Sequence, residues 1–138
     1  MSGANLRVLV VDDEADFLAT YERLLRRQGY DVITATSRAA GLDAVRASRG
    51  RLDLVISDLR LPDGDGLDVV RAARQTPDPP PVFVISGYPS DESRRAAEAA
   101  GATAFFSKPF TAASLLAAVR SSVPDAASSS RPRSECSS

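Results

Sequence analysis

The sequence has no histidine or tryptophan and only one cysteine among its 138 residues. Without histidine, the chain lacks the side chain most often used for acid–base catalysis and for binding transition metals. The single cysteine, Cys136, cannot close a disulfide within the chain, so nothing in the sequence requires an oxidising compartment. These absences argue against a disulfide-stabilised secreted domain and against a histidine-based catalytic or metal site.

The charge balance and the lack of long apolar runs limit the partners of the chain. Seventeen Lys and Arg residues against eighteen Asp and Glu residues give a net charge of −1. This balance argues against direct binding of nucleic acid through a basic surface. No apolar run approaches the roughly 18 residues of a membrane span, and the N-terminus shows no secretory signal. We therefore expect a cytoplasmic location without membrane insertion.

Five short apolar segments rich in β-branched and aromatic residues recur along the chain and predict buried strands. They cover residues 6–11, 31–35, 52–57, 82–85 and 103–106. The stretches between them have helical spacing, as in Phe17, Tyr21 and Leu25 of the first helix. This alternation predicts an α/β fold, in which a doubly wound five-stranded parallel sheet carries helices on both faces.

The chain has the length of one domain, which we assign to residues 1–123. Residues 124–138 are rich in Ser, Arg and Pro and have no apolar stripe. That composition predicts either a disordered tail or the stub of a linker to an output domain, and both interpretations stay open.

Polar side chains follow four of the predicted strands, at the end of a doubly wound sheet where ligands bind. Asp12 and Asp13 follow the first strand, Asp58 the third, Ser86 the fourth and Lys108 the fifth. Each residue alone has an ordinary explanation, such as an acid in a helical first turn or a serine in a loop. Their occurrence at successive strand ends favours a common site.

The chemistry of this group indicates phosphoryl transfer. Clustered carboxylates repel one another unless a cation is present, and ligand sets made only of oxygen suit Mg²⁺. A lysine supplies a positive charge for a phosphoryl oxygen, and a carboxylate can act as the nucleophile that forms an aspartyl phosphate. The residues therefore predict Mg²⁺-assisted phosphoryl transfer to an aspartate.

Five short motifs in this order resemble the receiver domains of two-component response regulators, the chemotaxis regulator among them. They are VVDDE at 10–14, SDLRLP at 57–62, GDG at 64–66, ISG at 85–87 and KPF at 108–110. The resemblance covers about residues 5–123. It implies the flavodoxin-like strand order 2-1-3-4-5, which the handedness and spacing of the elements do not settle.

The resemblance also implies roles for the acidic residues and the lysine. Asp58 matches the residue that accepts a phosphoryl group from a sensor histidine kinase or a phosphotransfer protein. Asp13, Asp58 and the backbone carbonyl of Arg60 match the direct ligands of Mg²⁺, and Asp12 matches an acid that acts through water. Lys108 matches the cation that pairs with Asp58 or with its phosphoryl group.

A second set of implied roles concerns switching and the lifetime of the phosphoryl group. Ser86 and Phe105 match the switch residues that remodel the surface formed by helix 4, strand 5 and helix 5. Arg60 and Tyr88 match positions beside the path of the hydrolytic water, where bulky side chains are expected to slow dephosphorylation. The Lys108–Pro109 peptide bond is expected to be cis.

The function implied is that of a signalling switch and not of an enzyme that turns over a separate substrate. The expected partners are the kinase, an unidentified downstream protein and, after phosphorylation, a second copy of the chain. The alternative is a docking module with the receiver fold, in which phosphorylation is incidental. Three positions depart from the family pattern: Leu61, where methionine is common, Gly87, where alanine is usual, and Phe105, which lacks the hydroxyl of the frequent tyrosine.

Overall fold

A computed structural model of the chain describes residues 6–108 and 111–122. The strands are β1 (Arg7–Val11), β2 (Asp31–Ala35), β3 (Leu54–Asp58), β4 (Arg60–Leu61), β5 (Gly64–Asp65), β6 (Val82–Ser86) and β7 (Ala104–Ser107). The helices are α1 (Ala15–Arg27), α2 (Arg38–Ser48), α3 (Leu67–Arg74), α4 (Asp91–Ala100) and α5 (Ala112–Ser122). The predicted domain end at 123, the tail at 124–138 and the Lys108–Pro109 bond fall outside the described residues.

Five of the strands form one parallel sheet in the order β2-β1-β3-β6-β7. The fourth and fifth strands predicted from the sequence are therefore β6 and β7, and the predicted order is confirmed. The strands β4 and β5 form a separate antiparallel hairpin directly after β3. This hairpin was not predicted, because two-residue strands in an Asp- and Gly-rich turn show no hydrophobic periodicity.

Apolar side chains cover both faces of the sheet and pack against helices on each side. Along β1, Val8 and Val10 point to the face covered by α1 and α5, and Leu9 and Val11 point to the opposite face. The second face is covered by α2, α3 and α4. All residues of the central strands β3 and β6 are buried, which explains their nearly continuous apolar sequences.

Two serines set the starts of helices that flank the sheet. The Ser37 side chain accepts a hydrogen bond from the Ala40 amide at α2, at 3.1 Å. The Ser90 side chain accepts one from the Ser93 amide at α4, at 3.0 Å. Such caps satisfy amides that have no partner within the helix. Among the helices over the described ranges, none combines the length and the apolar character needed to cross a membrane.

Candidate functional site

The carboxyl ends of the central strands bring the predicted site residues to one edge of the sheet. Asp58 ends β3 and pairs in register with Ile85, so that Ser86 lies one residue further along the neighbouring strand. Beside them lies a cavity of about 280 Å³ that is lined by Asp13, Glu14, Asp58, Arg60, Ser86, Gly87, Tyr88 and Lys108. Asp12 lies next to this cavity and is only 1% exposed. Except for Phe105, the structure thus brings the predicted site residues together, and it adds Glu14 and Gly87 to them.

Lys108 is the centre of the charged network. Its Nζ donates hydrogen bonds to Asp58 Oδ2 at 3.0 Å, to Asp12 Oδ1 at 3.3 Å and to Glu14 Oε1. The ammonium also lies 4.5 Å from the centre of the Phe17 ring. Burial lowers the pKa of Lys108, but the hydrogen bonds to Glu14, Asp58 and Asp12 outweigh it and raise the pKa overall. The side chain therefore carries a positive charge at neutral pH.

Asp12 carries a buried carboxylate whose charge the protein only partly compensates. Its Oδ1 accepts a hydrogen bond from the Glu14 amide at 2.9 Å. Its Oδ2 lies 3.1 Å from Lys108 Nζ but has no hydrogen-bond partner among the described residues. Burial raises the pKa of Asp12 to about 6, although the hydrogen bonds from Glu14 and Lys108 act in the opposite direction. The carboxylate is therefore suited to a further cation.

The donor set at this edge fits a hard divalent cation. One carboxylate oxygen from each of Asp12, Glu14 and Asp58 lies within 4.8 Å of the others. Oxygen ligands of this kind suit Mg²⁺, and Oδ2 of Asp12, which has no hydrogen-bond partner among the described residues, is available to it. Asp13 lines the cavity and is exposed, but its carboxylate does not belong to this close group.

Glu14 is the residue that the sequence analysis missed. It appeared there only within the VVDDE motif, with no role of its own. In the structure it lies between the end of β1 and the start of α1, where acids are common. The signal available in the sequence was a third acid in succession, after Asp12 and Asp13. Its contact with Lys108 joins residues that lie 94 positions apart, so no local pattern reveals it.

Asp58 is held from two sides and is 6% exposed. Lys108 donates to one carboxylate oxygen, and the backbone amide of Arg60 donates to the other, Oδ1, at 3.2 Å. The chain then turns sharply, because the Gly66 amide donates to the Leu59 carbonyl at 2.7 Å. A side chain at Gly66 is excluded there, since its Cβ would lie 1.9 Å from the Asp58 carbonyl oxygen.

Ser86 and Tyr88 also line the cavity. Ser86 is 2% exposed, and its hydroxyl oxygen accepts a hydrogen bond from the Tyr88 amide at 3.1 Å. The Ser86 carbonyl accepts one from the Lys108 amide at 2.8 Å, which ties β6 to the residue after β7. Tyr88 lines the cavity and is 80% exposed.

Phe105 lies on β7, away from the acidic residues. It is partly buried and packs against the apolar cluster on the side of α2, α3 and α4. The guanidinium of Arg94, on α4, stands over its ring. The structure thus places this predicted switch residue between the sheet and α4 and not among the residues of the cavity.

Comparisons with known sequences agree with this architecture. Residues 8–120 match the family described as "Response regulator receiver domain". The transcriptional regulatory protein PrrA of Mycobacterium tuberculosis is 42% identical over 114 residues, which are 83% of this chain and 48% of that protein. The response regulator MprA of Mycobacterium leprae is 36% identical over 115 residues, 83% of this chain and 50% of that protein. The chain thus spans about half the length of these curated relatives.

Solved structures show the same fold. A CheY-like response regulator receiver domain protein from Methanospirillum hungatei JF-1 has a TM-score of 0.78 and 27% identity, over 85% of this chain and 92% of that one. A response regulator from Burkholderia pseudomallei, solved with a phosphorylated aspartic acid, a calcium ion and citrate, has a TM-score of 0.75 and 29% identity, over 89% and 69%. With the family match and the strand order, these similarities show that the chain belongs to the response regulator receiver domain family.

Proposed function

We propose that Asp58 accepts a phosphoryl group from a sensor histidine kinase or a phosphotransfer protein, in a reaction that depends on Mg²⁺. The observation that carries this proposal is the environment of the Asp58 carboxylate. It borders the cavity with Lys108 Nζ at 3.0 Å from Oδ2 and the Arg60 amide at 3.2 Å from Oδ1. Because both of its oxygens accept hydrogen bonds, the carboxylate is already oriented before a phosphoryl donor arrives.

In the reaction, an oxygen of Asp58 forms a bond to phosphorus as the bond between phosphorus and the donor breaks. Lys108 lies beside that oxygen and offsets negative charge on the incoming phosphoryl group. The cation would be held by Asp12, Asp13, Asp58 and the Arg60 carbonyl, and Glu14 contributes charge to the same group. When bound, Mg²⁺ neutralises charge on the phosphoryl oxygens.

We further propose that the phosphoryl group shifts the domain between two conformations. The Ser86 hydroxyl, which accepts from the Tyr88 amide in this structure, would turn to donate to a phosphoryl oxygen. Phe105 would move with it and alter the surface of α4, β7 and α5. A shift from mostly inactive to mostly active requires a differential free energy of about 5 kcal/mol, which several charge-assisted hydrogen bonds can supply.

The response regulator of known structure from Burkholderia pseudomallei supports this proposal, because it carries a phosphorylated aspartic acid together with a calcium ion. By analogy, we propose that this chain catalyses its own phosphorylation and dephosphorylation in the cytoplasm and does not turn over a separate substrate. The altered surface would then bind a downstream protein or a second copy of the chain.

The proposal is tested by incubating the protein with Mg²⁺ and acetyl phosphate and locating the modification by mass spectrometry. We expect incorporation on Asp58 that is lost in Asp58→Asn and when EDTA replaces Mg²⁺. Asp43→Asn is the matched control, because Asp43 is an exposed aspartate on α2 that does not line the cavity. Incorporation that persists in Asp58→Asn would reject the assignment. A folded wild-type protein that is never modified would favour the docking module.

A further inference from the structure

Glu14 occupies the N-cap position of α1, but its side chain makes no hydrogen bond to the amides of that helix. Its Oε1 instead accepts a hydrogen bond from Lys108 Nζ. An acid at a helix N-terminus is usually explained by its interaction with the helix amides. Here the carboxylate contacts the ammonium of Lys108, which also contacts Asp58. We therefore look for the role of Glu14 in the site and not in capping the helix.

The ammonium of Lys108 has three protons to donate, and three carboxylates already accept hydrogen bonds from it. A phosphoryl group that reaches Asp58 must therefore take over one of these interactions. Asp12 is buried and fixed by the Glu14 amide, and Asp58 is the acceptor itself. The Glu14 side chain is 54% exposed, so water can hydrogen-bond to it in place of Lys108. Of the three interactions of Lys108, the one with Glu14 therefore costs the least free energy to break.

Glu14 also determines the charge that an incoming donor meets. It lines the same cavity as Asp58 and, with Asp12 and Asp58, places three carboxylate oxygens within 4.8 Å of one another. Repulsion between this group and a donor grows with the negative charge of the donor. Because Glu14 is exposed, solvent screens its repulsion of the donor. We therefore expect Glu14 to change the rate of phosphorylation moderately.

We propose that Glu14 is a selectivity residue, whose carboxylate competes for Lys108 and disfavours dianionic phosphoryl donors relative to monoanionic donors. The inference rests on the proposed phosphorylation of Asp58. With acetyl phosphate, a dianion, the bond from an Asp58 oxygen to phosphorus forms as the phosphorus–oxygen bond breaks and acetate leaves. With phosphoramidate, a monoanion, the phosphorus–nitrogen bond breaks and ammonia leaves with the protons it already carries.

The test compares the rates of Asp58 phosphorylation by these two donors in wild type, Glu14→Gln and Asp16→Asn at saturating Mg²⁺. We expect Glu14→Gln to accelerate the reaction with acetyl phosphate by roughly 3- to 10-fold and the reaction with phosphoramidate by less than about 2-fold. The difference should shrink at high ionic strength. Asp16→Asn removes the same charge from an exposed position in the first turn of α1 and should leave the ratio of the two rates unchanged.

Two further measurements separate charge from structure. Glu14→Asp keeps the charge, so its donor ratio should stay close to that of the wild type. In the metal-free protein, the NMR resonances of the Lys108 side chain should shift in Glu14→Gln and not in Asp16→Asn. A donor ratio that is the same in Glu14→Gln and wild type, or a change that Asp16→Asn reproduces, would overturn the inference. Failure of both donors to modify the wild type would count instead against the proposed function.

Discussion

The guanidinium of Arg94 lies 4.7 Å from the centre of the Phe105 ring and joins α4 to β7 through a cation–π contact. Phe105 packs on the same side of the sheet as α4, where it is partly buried. Any movement of this ring, as the proposed switch requires, must therefore break or carry along its contact with Arg94. The contact between Arg94 and Phe105 therefore links a movement of Phe105 to α4.

We expect Arg94→Gln to make displacement of Phe105 easier. A cation–π contact at an exposed site contributes about 0.5–1 kcal/mol, so its loss should change the ratio of the Phe105 conformers by about 2- to 5-fold. The populations can be followed by NMR of the ring protons in the unphosphorylated protein. Arg95→Gln is the control, since Arg95 is an exposed neighbour on the same helix. Equal populations in Arg94→Gln and wild type would show that the contact does not restrain the ring.

The edge of the sheet that carries the site could be predicted from the sequence because it follows from topology alone. Once buried strands alternate with helices, the residue after each strand lies at the same edge, and this rule places Asp58, Ser86 and Lys108 together. Glu14, directly before α1, and Arg94, on α4, escaped the rule, since both act through side chains that reach across the fold. Such contacts depend on rotamers and helix packing, which no periodicity in the sequence encodes.

The position of Tyr88 leads to a prediction about the lifetime of the aspartyl phosphate. Tyr88 lines the cavity that Asp58 borders, and the residue is 80% exposed. We expect Tyr88→Ala to lose the phosphoryl group roughly 3-fold faster, which corresponds to about 0.7 kcal/mol in the barrier to attack by water. The decay of purified phosphoprotein measures this rate, with Tyr88→Phe as the control that keeps the ring. Equal or slower decay in Tyr88→Ala would reject shielding by the ring.

The buried charge of Asp12 leads to a prediction about stability without metal. Because burial raises the pKa of this carboxyl to about 6, its ionised form at pH 7.5 disfavours folding. We expect Asp12→Asn to raise the free energy of unfolding in EDTA by about 1–3 kcal/mol, measured by urea denaturation. Asp13→Asn should change it little, since Asp13 is exposed. Addition of Mg²⁺ should stabilise the wild type more than either variant, and a less stable Asp12→Asn in EDTA would contradict this account.

The loss of folding stability at acid pH should depend on Asp63. Its carboxylate accepts hydrogen bonds from the amides of Arg38 at 2.6 Å and Ala39 at 2.9 Å, at the start of α2. The hydrogen bonds from Ala39 and Arg38 lower the pKa of Asp63 below its usual value of 3.8. A lowered pKa in the folded state means that the stabilisation is present above pH 3.8 and is lost as the pH falls through the folded value.

We therefore expect Asp63→Asn to be less stable than the wild type at pH 7 and to approach it below pH 3.8. Thermal unfolding across this range provides the measurement. Asp43→Asn, which changes an exposed aspartate further along α2, should run parallel to the wild type. A constant difference between Asp63→Asn and wild type down to the lowest pH would show that these hydrogen bonds do not depend on the charge.

Substitution by alanine should lower the stability of the fold at one of two glycines near the site, Gly66, and leave it nearly unchanged at the other, Gly87. Gly66 has φ of −64°, which any residue adopts. Glycine is therefore needed there only because there is no space for a Cβ. A Cβ at Gly66 would lie 1.9 Å from the Asp58 carbonyl oxygen, whereas a Cβ at Gly87 would meet nothing within 4 Å. Because the clash at Gly66 involves backbone, the turn that follows Asp58 must move to relieve it. We expect Gly66→Ala to cost more than about 3 kcal/mol of stability, beyond the usual range for single substitutions. Gly87→Ala should leave the unfolding midpoint nearly unchanged, and equal midpoints for both variants would show that the turn yields without cost.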